Sequence, residues 1–210
     1  MKKLISLVFL LTLTMTAMAQ REVTKFLGIP VDGSKTEMIK KLKAKGFRSD
    51  PKKIWDLVGD FNGREVYVSI VTHKNKVWRI ALEDVVTSSK SQIRIRFNEL
   101  CRQFTENPKY MPMTSTDQTI SEDEDVSLQL ALNKKQYEAG FLQFPDDWKK
   151  KIFGLDDSIE SKDSDAFKAY LESGSNRLVW FCISRSYLST DYVIVMYYDN
   201  EYNKAKGEDL

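Results

Sequence analysis

The sequence predicts an α+β fold, an antiparallel sheet with helices packed on one face, and two observations support it. Residues 57–82 read as three consecutive antiparallel strands, and Asn62-Gly63, which tolerates positive φ, suits the tight turn between the first two. Aliphatic side chains alternate with polar or aromatic ones along the second strand, at Val66, Val68 and Ile70. Helical periodicity near residues 34–45 and 91–106 supplies the apolar stripes that can cover such a sheet.

Local sequence signals mark where each of the two helices begins and ends. Ser34 and Glu37 match a capping box, in which each side chain satisfies a backbone donor of the other, and Gly46 can end the helix. The second helix has its apolar residues at i, i+4, i+7, i+8 and i+11, a single stripe formed by Ile93, Phe97, Leu100, Cys101 and Phe104. Asn107-Pro108 is expected to terminate it.

The second half of the chain begins with a linker over residues 110–125, which is rich in Thr, Ser and acidic residues. Alternation of apolar and polar residues over 126–132 predicts a strand, and 136–144 predicts its return strand. An insertion rich in Pro, Gly and Asp follows at 145–161. A short amphipathic helix is expected around Phe167, Tyr170 and Leu171.

A final hairpin is expected from residues 178–184 and 192–198, both apolar on two faces as in central strands. Each half then contains a helix and antiparallel strands. We interpret 20–112 and 113–210 as two units that could represent an α-β repeat.

The first 19 residues have the features of a secretory signal peptide. Lys2 and Lys3 precede an apolar run over residues 4–13, and Ala17-Met18-Ala19 supplies a small-residue cleavage pattern. A retained, uncleaved anchor is the alternative. No cysteine lies at the site for a lipid anchor, and no later apolar stretch is long enough to span a bilayer. We expect a periplasmic or secreted protein.

The net charge of +2 hides an asymmetry between the halves. Residues 21–112 contain 19 Lys and Arg against 11 Asp and Glu, whereas residues 113–210 contain 11 against 19. The halves could complement one another, or could define a partner surface of one polarity. Export argues against nucleic acid as that partner.

The sequence offers no catalytic, metal or cofactor motif. His73 is the only histidine, which excludes a histidine-dependent triad or a multi-histidine metal site within this chain. Carboxylates are dense in the insertion, over residues 146–165, and could bind calcium or act as acid and base. The D-x-D-x-D-G spacing of an EF-hand is absent, so solvated acidic loops remain the alternative.

Cys101 and Cys182 fall on a predicted helix and a predicted strand. In an oxidising compartment they could form a disulfide if that helix packs over that strand. The alternative is two free cysteines that pack as small apolar side chains.

Aromatic residues crowd the last hairpin and the C-terminal tail, and give the candidate binding residues Trp180, Tyr187, Tyr198 and Tyr202. Rigid amphipathic rings suit protein interfaces and sugar-binding platforms. Core packing is the alternative, since alternate strand positions must face inwards. Tyr187 and Tyr202 lie outside the predicted strands, where we expect the greatest exposure.

Two resemblances follow from these residues. Tyr197-Tyr198-Asp199-Asn200, with Phe26-Leu27-Gly28-Ile29-Pro30 and the ending Gly207-Glu208-Asp209-Leu210, resembles a group of exported α+β proteins of unknown function from Gram-negative gut bacteria. The helix-then-sheet unit is similar in architecture to the domain of β-lactamase inhibitor proteins and small outer-membrane assembly lipoproteins. That resemblance implies protein binding through a sheet or its loops.

This sequence departs from both of those architectural relatives. Residues 72–76 are basic where the inhibitor presents an acidic loop residue, and the anchoring cysteine of the lipoproteins is missing. Our leading hypothesis is therefore an exported, non-enzymatic binding module of unknown ligand. Through the open face of its sheet and its aromatic tail it would engage another exported or outer-membrane protein, or an envelope component. The alternatives are a carbohydrate-binding protein and a hydrolase that uses the acidic insertion.

Overall fold

The computed structural model describes residues 22–144, 174–187 and 189–207. It confirms the α+β class, with an eight-stranded antiparallel sheet and three α-helices packed against it. The predicted signal peptide, the acidic insertion at 146–165 and the helix expected around 167–171 lie outside the described residues. Within the described part of the chain, no helix is both long and apolar enough to cross a bilayer.

The elements follow one another in a simple order. The helices are α1 (Lys35–Ala44), α2 (Lys90–Glu106) and α3 (Val126–Leu132), with a 3₁₀ turn at Gly174–Arg177. The small N-terminal hairpin consists of β1 (Lys25–Phe26) and β2 (Ile29–Pro30). The main sheet contains β3 (Arg48–Ser49), β4 (Leu57–Phe61), β5 (Arg64–His73), β6 (Lys76–Asp84), β7 (Tyr110–Pro112), β8 (Glu138–Gln143), β9 (Leu178–Arg185) and β10 (Tyr192–Asp199).

The strand order of the main sheet is β3-β4-β5-β6-β10-β9-β8-β7. Two runs of sequential strands therefore meet where β6 pairs with β10, with Ile80 opposite Tyr198 and Leu82 opposite Met196. β7 lies inside the predicted first unit but pairs with β8 of the second. The predicted boundary at residue 112 thus falls within one continuous sheet.

The helices cover one face of this sheet, which we call the inner face. Met38 and Leu42 of α1 and the predicted apolar stripe of α2 are buried in one core with inner-face side chains. Phe97 of α2 contacts Phe181 of β9 with ring centroids 5.2 Å apart. Hydrophobic burial of this kind is the main driving force for the layered arrangement.

The predicted N-cap of α1 is present at Ser34, but only the serine half of the predicted capping box is observed. The Ser34 hydroxyl accepts a hydrogen bond from the Glu37 amide at 3.3 Å, and Gly46 has a φ of +97° just beyond α1. Asn62 and Gly63 both have positive φ, as the tight turn between β4 and β5 requires.

Arg96 lies off the predicted apolar stripe of α2, yet it is buried. Its Nε lies 3.4 Å from Oδ2 of Asp84 at the end of β6, and both side chains are about 95% buried. Burial acts to raise the pKa of Asp84, and the Arg96 charge opposes that rise. A buried guanidinium needs such a partner because its desolvation is otherwise uncompensated.

The strand predicted over 126–132 is wrong, because these residues form α3. The Asp125 carboxylate accepts a hydrogen bond from the Leu128 amide at 3.0 Å and caps the helix N-terminus. Leu, Ala and Gln are good helix formers, and a spacing of two residues cannot distinguish a strand from a short helix. Ser127 fixes α3 to the sheet through a 2.8 Å hydrogen bond with the Tyr192 hydroxyl.

We expect Gly59→Ala to destabilise the protein by about 1–3 kcal/mol, because the added methyl overpacks the core. A Cβ at Gly59 would lie 2.6 Å from Cδ1 of Phe47, which is itself buried, and 3.1 Å from the Phe47 Cα. Urea unfolding measures the change. Gly140→Ala is the matched control, because the nearest atoms to its added Cβ, from 3.1 Å, belong to the flexible, exposed Met113 side chain. Equal losses for both variants would contradict this packing.

Candidate functional site

The sheet face opposite the helices, here called the outer face, carries the best candidate site. Cross-strand partners share a face, so the observed register assigns its members. The three described helices bury their apolar side chains on the inner face instead. Outer-face residues from four central strands include Tyr67, Ser69, Val71, Arg79, Ala81, Glu83, Trp180, Cys182, Val195, Tyr197 and Asp199.

A cation surrounded by aromatic rings stands at the centre of this face. The Arg79 guanidinium carbon lies 4.5 Å from the ring centroid of Trp78, 4.4 Å from that of Tyr197 and 5.5 Å from that of Trp180. Nε and Nη2 of Arg79 donate hydrogen bonds to the two Asp199 oxygens, each at 2.6 Å. Nε1 of Trp180 donates to the same carboxylate at 3.1 Å. We call these five residues the Arg79 cluster.

Strand pairing explains how the Arg79 cluster forms. Asp199 lies directly opposite Arg79 across the β6–β10 pair, and Tyr197 lies opposite Trp180 across β10–β9. A register shift in the β5–β6 pair leaves Trp78 as the extra residue of a β-bulge. Bulges redirect side chains, and here the bulge accompanies the contact of Trp78 with the neighbouring guanidinium.

A second aromatic pair lies toward the β4 end of the outer face. Trp55, just before β4, stacks on Tyr67 with ring centroids 3.8 Å apart and planes inclined by 6°. The Asp50 carboxylate fixes the loop that precedes β4, because it accepts hydrogen bonds from the backbone amides of Ile54 and Trp55 at 2.9 and 3.1 Å. The outer face therefore carries two groups of packed aromatic rings.

Burial raises the pKa of three titratable groups in and around the Arg79 cluster: Tyr197, Cys182 and Glu83. Burial, together with the nearby Cys182, raises the pKa of Tyr197 in spite of Arg79. Burial and the Glu138 charge raise the pKa of the Cys182 thiol to about 11. Burial and the Asp84 charge raise the pKa of Glu83. The Cys182 thiol is therefore protonated at neutral pH, so it is a poor nucleophile.

The structure separates the four candidate binding residues. Trp180 belongs to the Arg79 cluster, whereas Tyr198 is 2% exposed and packs on the inner face, 5.0 Å from the Phe26 ring. The prediction of a surface role for Tyr198 is therefore wrong, since alternation turns it into the core. Tyr187 is 96% exposed in the β9–β10 loop, and Tyr202 is 40% exposed beyond β10.

The possible Cys101–Cys182 disulfide is not formed. Both cysteines are free, because Cys101 packs into the core on the inner side of the sheet while Cys182 belongs to the outer face. The condition that α2 packs over β9 is met, yet the sheet itself lies between the two thiols. Burial and the Asp117 charge raise the pKa of Cys101 to about 12.

Among the residues that the structure describes, no three His, Cys, Asp or Glu side chains gather to form a metal site. The acidic insertion at 146–165 lies outside those residues, so its cation or hydrolase role stays a prediction. No protein-family model, curated protein or solved structure matches this chain. The two resemblances given above likewise stay predictions.

Arg79→Met is expected to destabilise the protein by about 3 kcal/mol or more, because it leaves the buried Asp199 carboxylate without its bidentate partner. The control is Arg102→Met, which breaks an exposed ion pair with Glu106 and should cost about 0.5 kcal/mol or less. Urea unfolding compares the two variants. If the Arg79–Asp199 ion pair stabilises the fold as described, the double variant Arg79→Met/Asp199→Asn recovers part of the stability lost in Arg79→Met. An equal loss of stability in Arg79→Met and Arg102→Met would contradict this.

Both cysteines should be recovered as thiols. Roughly one thousandth of the Cys182 thiol is ionised at pH 8, given its raised pKa, and Cys101 ionises less. We expect slow alkylation of the folded protein by iodoacetamide and rapid addition of two alkyl groups in urea without reductant, read by mass spectrometry. A denatured, unreduced chain that takes up no alkyl group would contradict the observed separation of the thiols.

Proposed function

We propose that this protein is an exported, non-enzymatic binding module that engages another exported or outer-membrane protein through the outer face of its sheet. The observation that carries the proposal is the Arg79 cluster, a group of half-buried aromatic rings around a fixed guanidinium on the face opposite the described helices. Trp, Tyr and Arg are the residue types most enriched at the energetic centres of protein interfaces.

The arrangement of the rings favours a protein over a sugar as the occupant of this face. Sugar platforms offer a free ring face, but Trp180 stacks on Tyr197 with centroids 4.2 Å apart, and Trp55 stacks on Tyr67. The rings thus engage one another and the Arg79 guanidinium. Mixed aromatic, aliphatic and charged side chains on a sheet are typical of protein contact surfaces.

The side chains of the Arg79 cluster are already held in place, which reduces the entropic cost of binding. The two hydrogen bonds from Arg79 to Asp199 fix the guanidinium, and the ring contacts fix Tyr197 and Trp180. A binding surface with immobile side chains loses less conformational entropy when a partner arrives.

The charges on the outer face indicate the chemistry of the partner. Asp199 and Glu65 pair with Arg79 and Arg48, respectively. Glu83 and Glu138 add negative charge beside the aromatic groups, and burial with the Asp84 charge raises the pKa of Glu83. We therefore expect a partner that presents Lys or Arg side chains around an apolar centre.

The proposal that the protein is exported is based on residues 1–19, whose pattern of basic, apolar and small residues is typical of a signal peptide. The architectural resemblance to β-lactamase inhibitor proteins and assembly lipoproteins implies protein binding and supports the same role. Recovery of the chain from the periplasm or the medium, with Gln20 as its first residue, tests this part of the proposal.

Site-specific photo-crosslinking tests the binding face. A photoreactive amino acid replaces Ser69 or Glu138 on the outer face, and replaces Lys40 on α1 or Thr105 on α2 in the matched controls. In cells that naturally produce the protein, we expect both outer-face positions to give an adduct with the same protein, because both lie on one contact surface. Mass spectrometry identifies that adduct.

The helix positions are expected to give no adduct with that protein. Equal crosslinking from α1 or α2, or no protein adduct from either outer-face position, would contradict the proposed binding face.

A further inference from the structure

Exposed lysines gather where α1 lies beside the loop that precedes β4, residues 50–56. Nζ of Lys35 lies 2.7 Å from Oδ1 of Asp56, so an ion pair joins the first turn of α1 to the end of this loop. Helical periodicity places Lys43 on the same flank of α1, about 12 Å farther along the axis, with Lys40 beside it on the solvent side. Both of these lysines are exposed.

The loop adds two more exposed lysines and an exposed apolar side chain. Lys52 and Lys53 precede Ile54, whose side chain is 60% exposed. The Asp50 carboxylate accepts hydrogen bonds from the Lys52 amide at 3.1 Å and the Ile54 amide at 2.9 Å. The loop is therefore fixed with Ile54 in solvent next to two cations. We use the name lysine face for the set Lys40, Lys43, Lys52, Lys53 and Ile54.

Positive charge predominates in this region, and its acidic residues are engaged elsewhere. Residues 35–56 contain eight Lys and Arg against three Asp and Glu. Asp50 is 5% exposed and Asp56 pairs with Lys35, whereas Oε2 of Glu37 would lie 3.3 Å from a Cβ at Gly33 and so is turned toward the N-terminal end of α1.

The four lysines of the lysine face form no ion pair within the part of the chain that the structure describes. Their positive charges are therefore uncompensated on one surface. Such a surface attracts an anionic partner.

The composition of the lysine face favours a lipid bilayer over a protein as that partner. All four cations are lysines, which are depleted at protein interfaces, where arginine is enriched instead. Ammonium groups on long flexible stems suit the dispersed phosphates of anionic lipids, which attract each lysine near the surface. An exposed isoleucine adds the apolar contact that strengthens binding at the boundary between headgroups and acyl chains.

We infer that the lysine face docks the protein on the surface of a bilayer that contains anionic phospholipid. Ile54 enters the boundary between headgroups and acyl chains, and the lysines contact the phosphates while their stems lie along the apolar layer. The lysine face shares no residue with the Arg79 cluster. The inference therefore goes beyond the proposed protein-binding function, and either can fail without the other.

Vesicle flotation tests the inference on the protein purified from the cells that produce it. The vesicles contain phosphatidylcholine alone, or phosphatidylcholine with about 30% of the anionic lipid phosphatidylglycerol. We expect a partition coefficient at least about tenfold higher for the anionic vesicles at low salt. Most of this difference should disappear in about 0.5 M NaCl, where the Debye length is roughly 4 Å.

Lys52→Gln/Lys53→Gln is expected to lower the partition coefficient for anionic vesicles by about tenfold or more, because two lysines near the surface are lost. The matched control is Lys90→Gln/Lys134→Gln, which removes two exposed charges at the start of α2 and after α3. It should lower the coefficient by about twofold or less, since these charges lie outside the contact. Circular dichroism checks that each variant is folded.

Ile54→Ser separates insertion from charge attraction alone, and should lower the coefficient for anionic vesicles by about threefold or more. Leu132→Ser is its control, because Leu132 is 72% exposed but lies near the acidic run 122–125, to which the Lys135–Glu124 ion pair connects. It should leave the coefficient unchanged.

Three results would each overturn the inference. These are equal partition into neutral and anionic vesicles, equal losses in the two double variants, and an unchanged coefficient in folded Ile54→Ser. The first of them would leave an acidic protein as the partner of the lysine face.

Discussion

The pairing of β6 with β10 is the interaction on which the rest of this structure depends. It brings together residues more than a hundred positions apart and joins two runs of sequential strands into one sheet. The bidentate contact between Arg79 and Asp199 closes one end of this pair. The two edge strands in the described sheet, β3 and β7, are only two and three residues long. Short edge strands protect a sheet against pairing with other chains.

A single long sheet explains where the candidate site lies. Its helices bury one face, which leaves the packed aromatic rings and Arg79 on the other. The same pairing places Tyr198 of β10 beside Phe61 of β4 on the inner side, where the two rings are in contact. It also sets the opposite charges of the two chain halves in contact, since the Arg79–Asp199 ion pair crosses between them. This contact supports internal complementarity as one reason for the charge asymmetry.

The features that the sequence predicted well are local ones. The turn at Asn62-Gly63, the cap at Ser34 and the apolar stripe of α2 depend on neighbouring residues, so the pattern alone determines them. Alternation wrongly predicts a strand over 126–132 because seven residues with alternate apolar side chains suit either structure. The capping role of Asp125 was the signal that could have identified the helix.

The candidate site is harder to predict because it depends on strand order. The sequence indicates Trp180 as a candidate. Its contacts with Arg79 and Asp199, however, require β6, β10 and β9 to be neighbours, which no local pattern specifies. The same is true of the hydrogen bond from the Lys25 amide to the Gln143 side chain, which spans 118 positions of sequence. The disulfide failed for a related reason, since a correct helix-on-strand arrangement still left Cys182 on the opposite face.

Native-state hydrogen exchange tests most directly whether β6 and β10 join the two runs of strands into one cooperative sheet. Amide protons within residues 79–83 and 195–199 are compared with those in the centres of β5 and β9, over a series of low urea concentrations. We predict that protected amides in all four strands exchange with the same free energy of opening, equal to that of global unfolding. A clearly lower opening free energy for β6 and β10 would show that the two runs separate while each remains folded, and would contradict this account.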